Sequence, residues 1–143
     1  MIFRWLSLIC VVLFPVLIWS QEYNIRTISL REGLPNSQVN TIIKGPAGYM
    51  WVGTMSGVSR YDGHTFINYS EDDSLCDNSV LSLAFLNNKL LVGTENGVSV
   101  IENGKIFNHD LLEFNRPIVN DILVKDSMVL LLTSEGLLQL KGD

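Results

Sequence analysis

Basic charge and cysteine are both scarce in these 143 residues. Ten Lys and Arg face fifteen Asp and Glu, for a formal net charge of −5, and there are two cysteines. The shortage of cations leaves little to neutralise a phosphate backbone, which excludes nucleic-acid binding by this segment. Cys10 lies in an apolar leader, so Cys76 is the one thiol of the remaining chain. A lone thiol has no internal disulfide partner, and stability must come from packing. Cys76 stands in Asp72-Asp73-Ser74-Leu75-Cys76-Asp77, a setting that does not favour a reactive thiolate, and it reads as a loop residue. The two histidines, His64 and His109, have no Cys or carboxylate at metal-ligand spacing, whereas a structural zinc site wants four paired ligands. No helical periodicity runs longer than one turn, and no long apolar run occurs after the first twenty residues.

The leader accounts for the positive mean hydropathy. Met1 to Ser20 holds 16 apolar residues and one charge, Arg4. The remaining 123 residues are about 41% apolar, an ordinary globular level. Arg4 forms a positive n-region, Trp5 to Trp19 an apolar h-region, and small Ser20 precedes polar Gln21. This is the pattern of a secretory signal cleaved after Ser20. An uncleaved anchor fits less well, because Pro15 interrupts a run shorter than the ~20 residues that span hydrocarbon. A lipid anchor at Cys10 is disfavoured by bulky Leu8 and Ile9 before it. The expected location is periplasmic or otherwise extracytoplasmic.

Three segments of the chain align with one another. The first carries Val39-Asn-Thr-Ile-Ile-Lys and then Trp51-Val-Gly-Thr, the second Val80-Leu-Ser-Leu-Ala-Phe and then Leu91-Val-Gly-Thr, the third Val119-Asn-Asp-Ile-Leu-Val and then Leu130-Leu-Leu-Thr. Thr-x-x-Gly recurs at Thr54/Gly57, Thr94/Gly97 and Thr133/Gly136, a period near 40 residues. Val39, Thr41 and Ile43 share one strand face by alternation. Tyr49 to Thr54 is apolar on both faces, as a strand sandwiched between sheets would be. Gly45-Pro46-Ala47-Gly48 and Leu86-Asn87-Asn88-Lys89 read as turns, and Ser56-Gly57 and Asn96-Gly97 supply the positive φ of tight hairpins. Val58 to Asp62 and Thr65 to Tyr69 complete four strands per repeat. Four antiparallel strands every ~40 residues is the signature of a β-propeller blade.

The fold class expected is therefore all-β, with about three blades of an incomplete ring, since closed propellers hold roughly four to eight. The expected divisions are a signal peptide at 1–20, an outer strand at 21–32, blades at 33–73 and 74–112, and an incomplete blade at 113–143. The outer strand, Tyr23 to Leu30, precedes Gly33-Leu34-Pro35 as His64 to Tyr69 precedes Ser74-Leu75, and would fasten the last blade of a ring. On this reading the chain is the amino-terminal piece of something larger. A compact three-blade fold is the rival, and would leave strand edges unpaired.

Gly33-Leu34-Pro35-Asn36-Ser37-Gln38-Val39-Asn40-Thr41-Ile42, then Gly48-Tyr49-Met50-Trp51-Val52-Gly53-Thr54, then Gly57-Val58-Ser59-Arg60-Tyr61-Asp62-Gly63, resembles the two-component regulator propeller repeat. Phe66 and Tyr69 match that repeat's closing element. The second unit keeps Val92-Gly93-Thr94 and Gly97-Val98 but has Leu91 for Trp, and the third keeps Thr133 and Gly136. The resemblance implies the exported part of a membrane-spanning sensor whose output module, often a histidine kinase, lies beyond this chain. It implies a small-molecule or oligosaccharide ligand, membrane contact only through the region beyond residue 143, and a homodimer of the full-length protein.

No catalytic, cofactor or metal residue emerges, and this chain is not expected to be an enzyme. Glu71-Asp72-Asp73 lacks the spacing of a calcium loop and reads as a solvated acidic turn. Asn68-Tyr69-Ser70 fits the glycosylation pattern, but the bacterial resemblance makes the match accidental. Trp51 could stack on a sugar, though its place in a doubly buried strand makes it core. The loops that share one face, Asn36 to Gln38, Met55-Ser56, Glu71 to Asn78 and Glu95-Asn96, are the candidate ligand-binding set, with no single residue singled out. The alternatives are a secreted propeller enzyme of polysaccharide-lyase type and a non-signalling binding propeller.

Overall fold

Alternation of apolar residues with period two, broken by Gly, Asn and Ser pairs, builds hairpins and nothing longer-range than a meander. The computed structural model describes residues 23–109 and 115–141. The expected signal peptide at 1–20 lies outside them, as does Gly142-Asp143. The described residues hold three antiparallel sheets. The first runs in order through β1 (Val39–Lys44), β2 (Met50–Thr54), β3 (Gly57–Tyr61) and β4 (Phe66–Tyr69). The second runs through β5 (Val80–Leu86), β6 (Lys89–Thr94), β7 (Gly97–Glu102) and β8 (Lys105–Asn108). The third pairs β10 (Met128–Thr133) with both β9 (Val119–Lys125) and β11 (Gly136–Lys141). The all-β propeller architecture expected from the repeat is the one observed, and the strands expected in the first blade start and stop within a residue of their observed bounds.

Residues 23–29 precede the first sheet and lie in no strand. The outer strand expected across 21–32 has no sheet to join among the described residues, and Leu30–Glu32 is instead a one-turn 3-10 helix. Its N-cap is Ser29, locked by a capping box with Glu32, and Gly33 closes it at φ 107. The same device recurs at the entrance to the second sheet, where Ser70 caps Glu71–Asp73, Asp73 completes the box, and Ser74 closes at φ 80. Leu34 and Leu75 follow these turns and are both buried. The four-residue turn expected at 45–48 is a 3-10 turn over Pro46–Gly48 with proline in its first turn, where its missing N–H costs nothing.

The sheets stack face to face, and two apolar layers hold them. Trp51 and Val58 of the first sheet meet Val80, Leu83, Leu90 and Val92 of the second. Ala84, Leu91 and Val98 on the other face of the second meet Val119, Ile122, Val129 and Leu131 of the third. Each fully buried Val or Leu here contributes about 1.5–3 kcal/mol of burial. The sheets approach closely because of one residue in each of the first two. A Cβ built on Gly53 would stand 2.6 Å from Val80 Cγ1, and one on Gly93 would stand 2.9 Å from Val119 Cγ1. The valine that opens each sheet thus presses into the glycine of the sheet before it. Val80 and Val119 are 0% exposed, whereas Val39, which packs on no sheet among the described residues, is 46% exposed.

Candidate functional site

Antiparallel order puts the β2–β3, β6–β7 and β10–β11 hairpin tips at the same end as the chain segments entering β1, β5 and β9. A buried threonine shapes each tip. Thr54 Oγ1 donates to the Gly57 carbonyl at 2.9 Å and accepts from the Ser56 N–H at 3.0 Å. Thr94 does the same with Gly97 and Asn96 at 2.9 and 3.1 Å, and Thr133 with Gly136 and Glu135 at 2.8 and 3.2 Å. The Thr-x-x-Gly period of the sequence is this clasp. The glycines adopt φ 109, 100 and 121, a left-handed conformation that a side chain resists.

The tips are stitched to both neighbouring entry segments. The Met55 N–H reaches the Gln38 carbonyl at 3.3 Å, and the Gly57 N–H reaches Asn78 of the next sheet at 2.7 Å. The second tip repeats this, Glu95 N–H to Ser79 and Gly97 N–H to Pro117, at 3.2 and 3.1 Å. Side chains add to it. Asn36 Nδ2 donates to Ser56 Oγ at 2.9 Å, and Asn40 Nδ2 donates to the Val80 carbonyl at 2.9 Å. Met55 Sδ accepts from both Asn40 Nδ2 and Ser79 Oγ, at 3.3 and 3.4 Å. The structure therefore brings together three of the loop groups named from sequence, 36–38, 55–56 and 71–78, with Glu95-Asn96 on the next tip. Asn40, Met55 and Ser79 form a junction that sequence reasoning missed. Asn40 belongs to a strand and its side chain is not distinguished there by any local pattern.

Glu71, Asp73 and Asp77 at this end accept from nearby backbone N–H groups. Glu71 exchanges two hydrogen bonds with Asn78, and Asp73 Oδ2 accepts from the Ser70 N–H. No group of three or more His, Cys, Asp or Glu is placed to hold a metal among the described residues. Acidic side chains nevertheless predominate at the loop end. Glu71, Asp72, Asp73, Asp77, Glu95 and Glu135 lie at the loop end with Arg116 beside Gly97, while at the opposite strand ends Lys44, Lys89, Lys105 and Lys125 are interspersed with Asp62, Glu102 and Asp126. There Asp62 accepts from the His64 and Thr65 N–H groups at 2.7 Å each and from the Thr65 hydroxyl at 3.0 Å. Those bonds, led by the Thr65 N–H, hold its carboxyl down to about 2 from 3.8.

The remaining sequence candidates fall elsewhere. Trp51 is buried between the first two sheets, stacked on Tyr69 at 5.9 Å between centroids and edge-on to Phe85 at 6.5 Å. It is core and offers no face to a sugar. His64 lies in the β3–β4 turn, while His109 follows β8 and donates its N–H to the Val98 carbonyl, so the two belong to different sheets. Cys76 is half-buried, its N–H on Ser99 Oγ at 2.9 Å.

One stretch covers the first entry loop, β1, β2 and the first tip. Residues 33–56 match the two-component regulator propeller family. The matched segment supplies Asn36, Asn40, Met55 and Ser56 to the loop end described above. No curated protein matches the chain. Among solved structures, the fold is similar to the extracellular domain of a protein named as a hybrid two-component system, BT3049 from B. thetaiotaomicron. The TM-score is 0.70 at 16% identity, over 83% of this chain and 18% of that one. A second such domain, of BT4673 from the same organism, gives 0.68 at 19% identity, over 86% and 17%. The computationally designed protein Ika4 gives 0.58 at 15% identity, over 73% and 66%. The chain thus spans under a fifth of each two-component extracellular domain. At such identities the likeness is one of fold alone. No helix among the described residues is long and apolar enough to cross a membrane.

Proposed function

We propose that this chain is a ligand-sensing segment of an extracytoplasmic propeller in a two-component sensor, acting by binding and without catalysis. The observation that carries this is the regulator propeller repeat at residues 33–56, whose loop, strand and tip make up the stitched loop end. That end is a fixed surface, because both sides of its first two tips are hydrogen-bonded to neighbouring chain. Function on a β-scaffold resides in such loops. Its acidic side chains repel anions, so the ligand class is a neutral oligosaccharide rather than a sulfated or uronic one. Ligand contact across several blades would shift the arrangement of a sensor dimer and so set a remote output domain.

The test is isothermal titration of the complete sensor propeller with neutral and anionic oligosaccharide mixtures, beside variants Gln38→Ala and Glu95→Ala at the loop end. Heat with the neutral set, weakened at least several-fold by those variants, is the expected result. Turnover of the added glycan, or tight binding of the anionic set, would overturn the reading in favour of a polysaccharide-acting enzyme.

A further inference from the structure

The joints between sheets repeat twice and then change. Gly53 receives Val80 and Gly93 receives Val119. At the matching place in the third sheet stands Leu132, paired across the ladder with Asp121 as Gly53 is with Thr41 and Gly93 with Ser82. Leu132 is 52% exposed on the face that no described sheet covers, with Leu123 and Leu137 exposed beside it. Leu137 occupies the place held by Val58 and Val98, which are fully buried in the two formed joints. This face is therefore apolar like its two predecessors, but its recess is filled and its neighbour is bulkier.

We propose that the third sheet docks a further four-stranded sheet of the ring whose opening position is a small residue, Gly, Ala or Ser, in place of valine. The argument is continuity with the two formed joints. Even with no side chain at Gly53, Val80 Cγ1 stands only 2.6 Å from where a Cβ would be. A leucine there leaves no room for a valine without the sheets moving apart. The polar part of the joint changes too. Ser82 Oγ donates to the Val119 carbonyl at 3.4 Å, and Asp121 as a carboxylate only accepts. Asp121 Oδ1 already accepts from the Ile122 N–H at 2.8 Å, so an N–H or hydroxyl of the incoming strand would fall to the second carboxylate oxygen. A second copy of this chain would bring Val39 to that place, so Leu132 also blocks head-to-tail stacking of identical chains, a contact that would otherwise run on into filaments.

The test extends the full chain with a second copy of residues 74–112, which begins its strand with the counterpart of Val80. Four proteins are compared by thermal unfolding and amide exchange: the appended valine kept or changed by Val80→Ala, each with Leu132 kept or changed by Leu132→Gly. With Leu132, the alanine raises the midpoint by about 5 °C, and with Leu132→Gly the same change lowers it. The same sign in both backgrounds would overturn the proposal. So would an appended sheet whose amides are unprotected in all four proteins, since the face would then take no sheet. Sedimentation of the unextended chain gives a monomer; association abolished by Val39→Asp would make a second copy the occupant and refute the assignment.

Discussion

Thr94→Val swaps a hydroxyl for a methyl of nearly the same size inside the second hairpin tip, so no cavity opens. What is lost is the 2.9 Å bond to the Gly97 carbonyl and the acceptor for the Asn96 N–H at 3.1 Å. Thr94 is completely buried, and a buried polar group deprived of its partner costs about 1–3 kcal/mol. The Asn96 N–H lies nearer the surface, where water replaces part of the bond. The two together come to about 2 kcal/mol, or roughly an 8 °C fall in midpoint for a chain of this size. Thr133 makes the same clasp at a less enclosed position, so Thr133→Val costs about half as much. Calorimetry of the full chain reads both values, and amide exchange at Asn96 locates the damage. Thr94→Ser keeps the hydroxyl and keeps Asn96 protected. If Thr94→Val is as stable as the parent chain, or if Thr133→Val costs more, the clasp does not hold the tip and the reasoning fails.

Gly53→Ala places a methyl against Thr41 Cγ2 and Val80 Cγ1, each 2.6 Å away, and destabilises by about 1–3 kcal/mol. Val80→Ala added to it recovers part of that loss in a double-mutant cycle, and strictly additive effects would contradict the joint described. Ser99→Ala costs more in chemical denaturation than Ser59→Ala, because Ser99 Oγ accepts from the Cys76 N–H as well as donating to Asn108, whereas Ser59 only donates to Asn68. Equal losses would mean that the Cys76 bond adds nothing. An NMR titration of the Asp62 carboxyl is expected to give a value of about 2, and one near 3.8 would contradict the hydrogen bonds of its turn. Because its folded value is depressed, its contribution to stability is present above about pH 4 and is lost as pH falls toward 2. Asp62→Ala therefore flattens the acid side of the stability profile, and a profile unchanged by it would refute the role of the turn.

The blade pattern was legible because its chemistry is local. Thr-x-x-Gly states a clasp, Asn-Gly and Ser-Gly state hairpins, and two-sided apolar strands state that sheets lie on both sides. Trp51 could be assigned to the core on the last point alone. Burial of Val39, Val80 and Val119 could not be ranked this way, since three equivalent valines differ only in whether another sheet precedes them. The capping boxes at Ser29 and Ser70 went unseen because Leu-Arg-Glu and Glu-Asp-Asp share few letters while serving one geometry. The Asn40, Met55 and Ser79 junction was hidden for a different reason: its members come from three separate elements, and a thioether gives no polar signal in sequence.

The glycine recess and the valine that fills it also bear on how the chain assembles. Each valine follows its recess within a single repeat, so a sheet can seat on its predecessor as soon as its own first strand exists, and nothing later in the chain is required. Contacts of such short sequence separation favour rapid, stepwise growth from the amino terminus during synthesis. Leu132 breaks that series: the third sheet carries no such recess, so the same local seating step is not available on its open face.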